Sequence, residues 1–162
     1  MSNALQIDGY EISTEHSRLQ FDVIHGFLTT SYWSAGIPMD TVKRAAENSL
    51  CFGIYKKETQ VGYARIISDY ATFAYLADVF VLESERGKGL SKWLVDTIRN
   101  HPDLQGLRRW MLITRDAHTL YSKFDFEIAQ NPENIMQIAR PNIYSELKKE
   151  SANVNQKKNT LP

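Results

Sequence analysis

The segment that most limits the fold runs from residue 72 to residue 98. Residues 72–82 (TFAYLADVFVL) are aromatic and β-branched, as a buried strand should be. The run breaks at Glu83-Ser84-Glu85-Arg86-Gly87-Lys88-Gly89, and apolar residues then recur at Leu90, Trp93, Leu94 and Ile98. That spacing is the core-facing stripe of an amphipathic helix. A buried strand that runs straight into such a helix calls for a layered α/β architecture. The junction also turns the N–H groups of the first helical turn outward, at the positive end of the helix dipole. Gly87 and Gly89 remove side chains that would hold a phosphate away from those donors, and Arg86 and Lys88 add positive charge. Residue types alone therefore predict a phosphate or pyrophosphate seated on the backbone of residues 87–91. Taken as a bare tetrapeptide, Arg86–Gly89 is more often a plain surface turn, and Glu83 and Glu85 would repel an anion unless they turn away. Neither GxxxxGK[ST] nor GxGxxG is matched here, which counts against P-loop and Rossmann sites.

The flanking elements fill in the fold. Residues 9–14 predict a short opening strand. Val23, Ile24, Phe27 and Leu28 predict a helix from Asp22 to about Trp33, and Asp40 reads as the N-cap of a second helix through Val42, Ala45 and Ala46. Residues 50–55 and 61–67 are strand-like runs joined by a polar turn, which predicts an antiparallel hairpin. Residues 109–114 predict another strand, with Asp116 capping a helix over 117–124. Residues 126–128 and 135–139 read as two closing strands, and from residue 145 the polar composition predicts a frayed tail. The expectation is a mixed α/β (α+β) fold, a mostly antiparallel central sheet flanked by helices. A single domain over residues 1–144 would be followed by the tail, 145–162.

Composition narrows the function. Nineteen basic and nineteen acidic residues give a formal net charge of zero, which argues against nucleic acid or an anionic membrane as partner. No apolar run approaches the roughly 20 residues of a bilayer span, and the N-terminus has no signal-peptide pattern. Cys51 stands alone, so no internal disulfide or Cys-x-x-Cys knuckle can form. His16, His25, His101 and His118 show no ligand spacing, so no metal is expected. A cytoplasmic protein follows. The charge is unevenly spread: residues 1–82 carry six basic and nine acidic side chains, and residues 83–125 carry eight and six. That asymmetry suits a small cationic substrate and an anionic cofactor.

Two stretches carry a family resemblance. Arg86-Gly87-Lys88-Gly89-Leu90-Ser91 resembles the acetyl-CoA signature of the GNAT superfamily of N-acetyltransferases, R/Q-x-x-G-x-G/A, in a local R-G-x-G form. About 30 residues on, Ala117-His118-Thr119-Leu120-Tyr121-Ser122-Lys123-Phe124-Asp125-Phe126 looks like the family's A-x-x-L-Y-x-K-x-G-F segment. The resemblance covers roughly residues 50–127, and the first 50 only by element order. It implies an acetyl-CoA-dependent N-acetyltransferase, with direct attack by the primary amine of a small molecule or peptide. The strand backbone at Val79, Phe80 and Val81 would hold the acetyl carbonyl and pantetheine arm. The N–H groups of Gly87, Lys88, Gly89, Leu90 and Ser91, with Arg86 alongside, would hold the pyrophosphate. Thr114 stands where an asparagine often touches the pantetheine. Tyr121 would lie near the sulfur and protonate the departing thiolate, a reasonable task for a hydroxyl of pKa about 10. A preorganised backbone donor would lower the barrier by stabilising the developing oxyanion.

Three positions depart from the family pattern. Ala77 replaces a glutamate that often acts as general base, which leaves Asp78, Asp69, a tyrosine or a water relay for that task. Thr114 is a weaker substitute for asparagine, and Asp125 replaces a glycine. Tyr32, Trp33, Tyr70, Phe73 and Tyr75 are candidates for the acceptor lining, with Asp69 and Asp78 as anionic partners for an ammonium group. Family members are often dimers, which makes a homodimer a further expectation. A non-catalytic acyl-CoA-binding module is the alternative function. Turnover with release of CoA thiol, dependent on Tyr121, separates the two. An ATP-binding protein using the same turn is the third reading.

Overall fold

A computed structural model describes residues 6–158. Among them, five strands form one sheet in the order β1 (Tyr10–Ser13), β2 (Leu50–Lys56), β3 (Thr59–Ser68), β4 (Phe73–Val81) and β5 (Arg109–Met111). The first four are antiparallel neighbours, and β5 lies parallel to β4. The α-helices are α1 (Phe21–Leu28), α2 (Met39–Glu47), α3 (Leu90–Arg99), α4 (His118–Tyr121) and α5 (Ile143–Lys158). This is the mixed α/β arrangement expected from the element order. No helix among the described residues is long and apolar enough to cross a membrane.

Strand alternation divides the apolar residues between two cores. Phe52, Ile54, Ala64, Ile66, Ala74 and Leu76 join the α3 stripe of Leu90, Trp93, Leu94 and Ile98. Cys51, Tyr63 and Phe80 meet Ile24 and Leu28 of α1 and Val42 and Ala46 of α2 on the other face. The Phe27 and Phe80 rings stack there at 4.0 Å between centroids and 8° between planes, a geometry that adds to the stabilisation from burial alone.

One inserted residue reverses the alternation inside β4. Ala74 and Leu76 belong to the α3 side, yet Phe80 packs with α1 while Val79 and Val81 join the α3 side. The pairing explains the reversal: Tyr63 opposes Phe80 and Arg65 opposes Ala77, so one residue of β3 faces two of β4. Asp78 sits in this bulge at φ 55°, a left-handed conformation that aspartate tolerates better than most side chains.

Several boundaries differ from the sequence expectation. α1 ends at Leu28 rather than near Trp33, because the Ser31 and Ser34 hydroxyls both donate to the Leu28 carbonyl, at 2.7 and 2.9 Å. Those bonds satisfy an acceptor that another helical turn would have used. Asp40 lies within the first turn of α2, whose N-cap is Pro38. Asp116 does not cap α4; Thr114 Oγ1 accepts the Ala117 N–H at 3.0 Å instead. Neither closing strand forms: residues 126–129 and 135–140 are irregular, and Ile128, Met136 and Ile138 stand largely exposed. Their apolar alternation gives strand propensity, but no neighbouring strand pairs with them. The tail expected to fray from residue 145 lies in α5 as far as Lys158, and its last residues, 159–162, fall outside the described residues.

Candidate active site

The pairing of β4 with β5 ends at Tyr75 opposite Met111, while β4 continues six residues further to Val81. Where the strands part, a cavity of about 540 Å³ opens. Its walls come from both faces of the sheet: Tyr32, Trp33, Arg65, Tyr75 and Asp78 from the α1 side, and Val79, Leu112, Thr114, Ala117 and Tyr121 from the side of α3 and α4. The cavity therefore crosses the sheet through the gap between two diverging strands.

Asp78 reaches this cavity because of the bulge. Its Oδ2 accepts from Arg65 Nε at 2.5 Å and its Oδ1 from Trp33 Nε1 at 3.1 Å. Both members of the ion pair are largely buried. Attraction in such a setting is strong, and so is the penalty for losing either partner. The Tyr75 hydroxyl, on the same wall, is pushed upward in pKa by burial and by the Asp78 charge.

Tyr121 occupies the other side of the passage. Thr114 Oγ1 accepts the N–H of Ala117, the N-cap of its helix, and the ring packs edge-on against Phe126 with centroids 5.9 Å apart. The side chain is buried, and burial, with smaller contributions from Tyr32 and Asp116, pushes its pKa up to about 12. The hydroxyl is therefore protonated throughout the neutral range, the state a proton donor needs.

The glycine turn has the geometry its residues predict. Gly87 and Gly89 adopt φ 78° and 81°, and Gly89 is the N-cap of α3. A Cβ at Gly87 would meet nothing within 4 Å. The first turn of α3 holds no acidic residue, and no side chain caps it. Glu85 turns inward instead of facing the loop's open side. It accepts hydrogen bonds from the Tyr10 hydroxyl, from Lys88 Nζ at 2.5 Å and from Lys56 Nζ at 3.2 Å. These partners, Lys88 first, hold its pKa down at about 2 and raise that of Lys88 in turn. Lys88 thus neutralises Glu85, while Arg86 Nε donates to the Val81 carbonyl at 3.3 Å.

Other candidate residues fall elsewhere. Asp69 and Tyr70 are not in the cavity lining. The Asp69 carboxylate accepts the N–H groups of Ala71, Thr72 and Phe73 and the Thr72 hydroxyl, which organises the β3–β4 turn and holds its pKa low. Phe80 and Val81 are buried, so any contact they make with a ligand comes through the backbone. Asp125, which replaces the family's glycine, adopts φ 66°, a left-handed conformation that glycine enters freely and aspartate tolerates. Arg65, Arg115 and Tyr144 line the cavity without having been singled out from sequence. Arg65 sits in an ordinary alternating strand; its Nη1 donates to Ser49 Oγ at 3.3 Å, and the bulge opposite supplies its carboxylate partner.

Residues 47–128 match the acetyltransferase (GNAT) domain family. The chain belongs to the GNAT acetyltransferases. A GNAT-family protein of Xanthomonas campestris pv. campestris, provisionally assigned as an acetyltransferase, is 47% identical; the match covers 86% of this chain and 99% of that one at a TM-score of 0.84. A Gibberella zeae protein with the same provisional assignment is 34% identical over 137 residues, 70% of this acetyltransferase and 76% of the relative. A Clostridium acetobutylicum protein described as an acetyltransferase, solved with acetyl-CoA, is 12% identical at a TM-score of 0.59, covering 80% of this chain and 94% of that one. At that identity the likeness speaks for the GNAT fold alone.

Proposed function

We propose that this GNAT acetyltransferase moves an acetyl group from acetyl-CoA to the primary amine of a small molecule or peptide by direct attack. The observation that carries the reading is the passage through the sheet, with the protonated Tyr121 on the α4 side and Asp78 among aromatic side chains on the other. The glycine turn fits the anionic end of CoA. Its left-handed glycines, the open space before Gly87 and the uncapped first turn of α3 leave N–H donors for a pyrophosphate. The acetyl-CoA bound to the Clostridium acetobutylicum protein of the same fold supports the same choice of donor.

When bound, acetyl-CoA supplies an acetyl group activated as a thioester. The N–H groups of Gly87 to Ser91 hold its pyrophosphate, and the β4 backbone near Val79, freed from β5, holds the pantetheine and polarises the acetyl carbonyl. Asp78 draws the acceptor ammonium into the cleft, and the proton the amine must lose passes to Asp78 and on to solvent. As the amine nitrogen bonds to the acetyl carbon and the carbon–sulfur bond breaks, Tyr121 gives its proton to the sulfur. The second proton leaving the nitrogen restores the tyrosine through solvent, so that two protons leave the ammonium, one ending on CoA thiol and one in water. Thr114 holds the start of α4, and with it Tyr121, in position.

Calorimetric titration with acetyl-CoA, CoA and ATP tests the donor site, followed by thiol detection over a panel of primary amines. Both CoA species should bind, with ATP weaker by at least about tenfold. Absence of acetyl-CoA binding, or binding without thiol release for any amine, would overturn the proposed reaction.

A further inference from the structure

The acceptor half of the cleft has a wall that comes from outside the matched domain. Tyr144, in the first turn of α5, lines the cavity and packs against the apolar core formed with α1 and α2. Its Cβ stands 3.8 Å from where a Cβ on Gly36 would lie. Gly36, at φ 77°, thus combines a left-handed turn with contact against the C-terminal helix.

As far as residue 155, the remainder of that helix buries almost nothing. Ile143 and Tyr144 are partly buried, and residues 145–155 are all exposed. The connection from residue 127 to residue 142 is exposed along its whole length. The chain leaves the α3 side at Phe126 and reaches the α1 side with Tyr144. A polar helix gains its position from the few apolar contacts it makes. Here those contacts are at the cavity, and Arg140 steadies the helix start through Glu146, at 2.9 Å.

We infer that Tyr144 is a specificity-determining residue, whose ring closes the far end of the acceptor pocket and limits the length of the amine it admits. The inference rests on the acetyl-transfer reading of the same cleft. Tyr32, Trp33 and Tyr75 share the lining with Tyr144, and its carboxylates are Asp78 and Asp116, set beside Arg65 and Arg115. The chemistry recognised is a primary amine on a short apolar or aromatic body, with the ammonium toward Asp78 and the body against these rings. The same ring screens the acetyl end of the donor from bulk water on this side.

The test uses the full chain with Tyr144→Ala, Tyr144→Leu and Tyr144→Phe. Phenethylamine and 4-phenylbutylamine serve as short and long acceptors, and CoA release without any amine reports water entry. Tyr144→Ala should leave the acetyl-CoA Kd within about twofold of wild type and move the kcat/KM ratio toward the longer amine by about tenfold. Amine-free CoA release should rise by about fivefold. Tyr144→Phe should match wild type in all three, since the ring and not the hydroxyl forms the wall. Tyr144→Leu, which keeps an apolar contact, should show the same direction as Tyr144→Ala and guards against simple loss of folding. Unchanged CoA release and an unchanged amine ratio in both Tyr144→Ala and Tyr144→Leu, with acetyl-CoA still bound, would overturn this inference alone. If neither amine is a substrate of wild type, CoA release decides it. Failure of wild type to bind acetyl-CoA would instead overturn the underlying reaction, and this inference with it.

Discussion

Tyr32 and Arg115 meet across the mouth of the cleft. The Arg115 backbone N–H donates to the Tyr32 hydroxyl at 3.3 Å, and the guanidinium lies 3.9 Å from the centroid of the same ring. The loop after α1 is thereby joined to the loop before α4. These loops belong to opposite sides of the gap between β4 and β5, so one tyrosine ties together the acceptor side and the segment that presents Tyr121. Replacing Tyr32 with leucine removes both contacts and should cost about 1–2 kcal/mol of stability. Tyr32→Phe keeps the ring beneath the guanidinium and should lose less than about 1 kcal/mol. Urea denaturation of the two variants measures the difference.

Tyr121→Phe should lower kcat by about a hundredfold or more and leave the acetyl-CoA Kd unchanged, because only proton donation is lost. With its pKa pushed up to about 12, the hydroxyl keeps its proton well above neutrality. The wild-type kcat profile should therefore show no falling limb from this group between about pH 7 and pH 10. A limb in that range that vanishes in Tyr121→Phe would assign the tyrosine a different titration and a different role.

At Asp78, charge and backbone conformation can be separated. Asp78→Asn retains a residue that tolerates φ 55° but leaves the Arg65 guanidinium without its counter-charge. It should cost about 2–3 kcal/mol and raise the acceptor KM. Asp78→Val adds a β-branched side chain in the left-handed region, and should cost about 1–2 kcal/mol beyond the asparagine variant. Equal stabilities for the two variants in urea would mean that the bulge relaxes when its aspartate is lost.

Glu85 makes a prediction about acid. Its folded-state pKa of about 2 lies below the ordinary carboxylate value of 4.5. A depressed carboxylate contributes stability that is fully present above the unfolded value and fades as pH falls through the folded one. The bonds from Lys88, Tyr10 and Lys56 should therefore stabilise the protein above about pH 4.5 and lose that effect toward pH 2. Glu85→Gln should flatten this part of the pH dependence. The urea midpoints of the two proteins should differ most above about pH 5 and converge only toward pH 2.

The sequence already showed why a strand, a glycine turn and a helix follow one another between Phe73 and Arg99, because each announces itself locally. Leu90, Trp93, Leu94 and Ile98 share a helical stripe, and Gly87 and Gly89 mark the turn. The bulge was hidden because residues 77–81 read as an unbroken strand, with neither glycine nor proline to mark the inserted residue. Its presence depends on which residues of β3 lie opposite, and that pairing is a long-range property. Arg65 was missed for the same reason. Tyr144 was overlooked because its surroundings from residue 145 are polar, and a single ring carries the contact. Asp69 looked like an ammonium partner, yet its short side chain is within reach of three following N–H groups, and local bonds claimed it.

The bulge at Asp78 also says what the length of this strand is kept for. Deleting Asp78 would restore strict alternation in β4 and leave Phe80 opposite Tyr63 and Val81 opposite Gly62, each in the layer it already occupies. Neither interior would have to exchange side chains with the other. What would vanish is the carboxylate that Arg65 and Trp33 share at the cavity wall, so the extra residue belongs to the site and the two cores are indifferent to it.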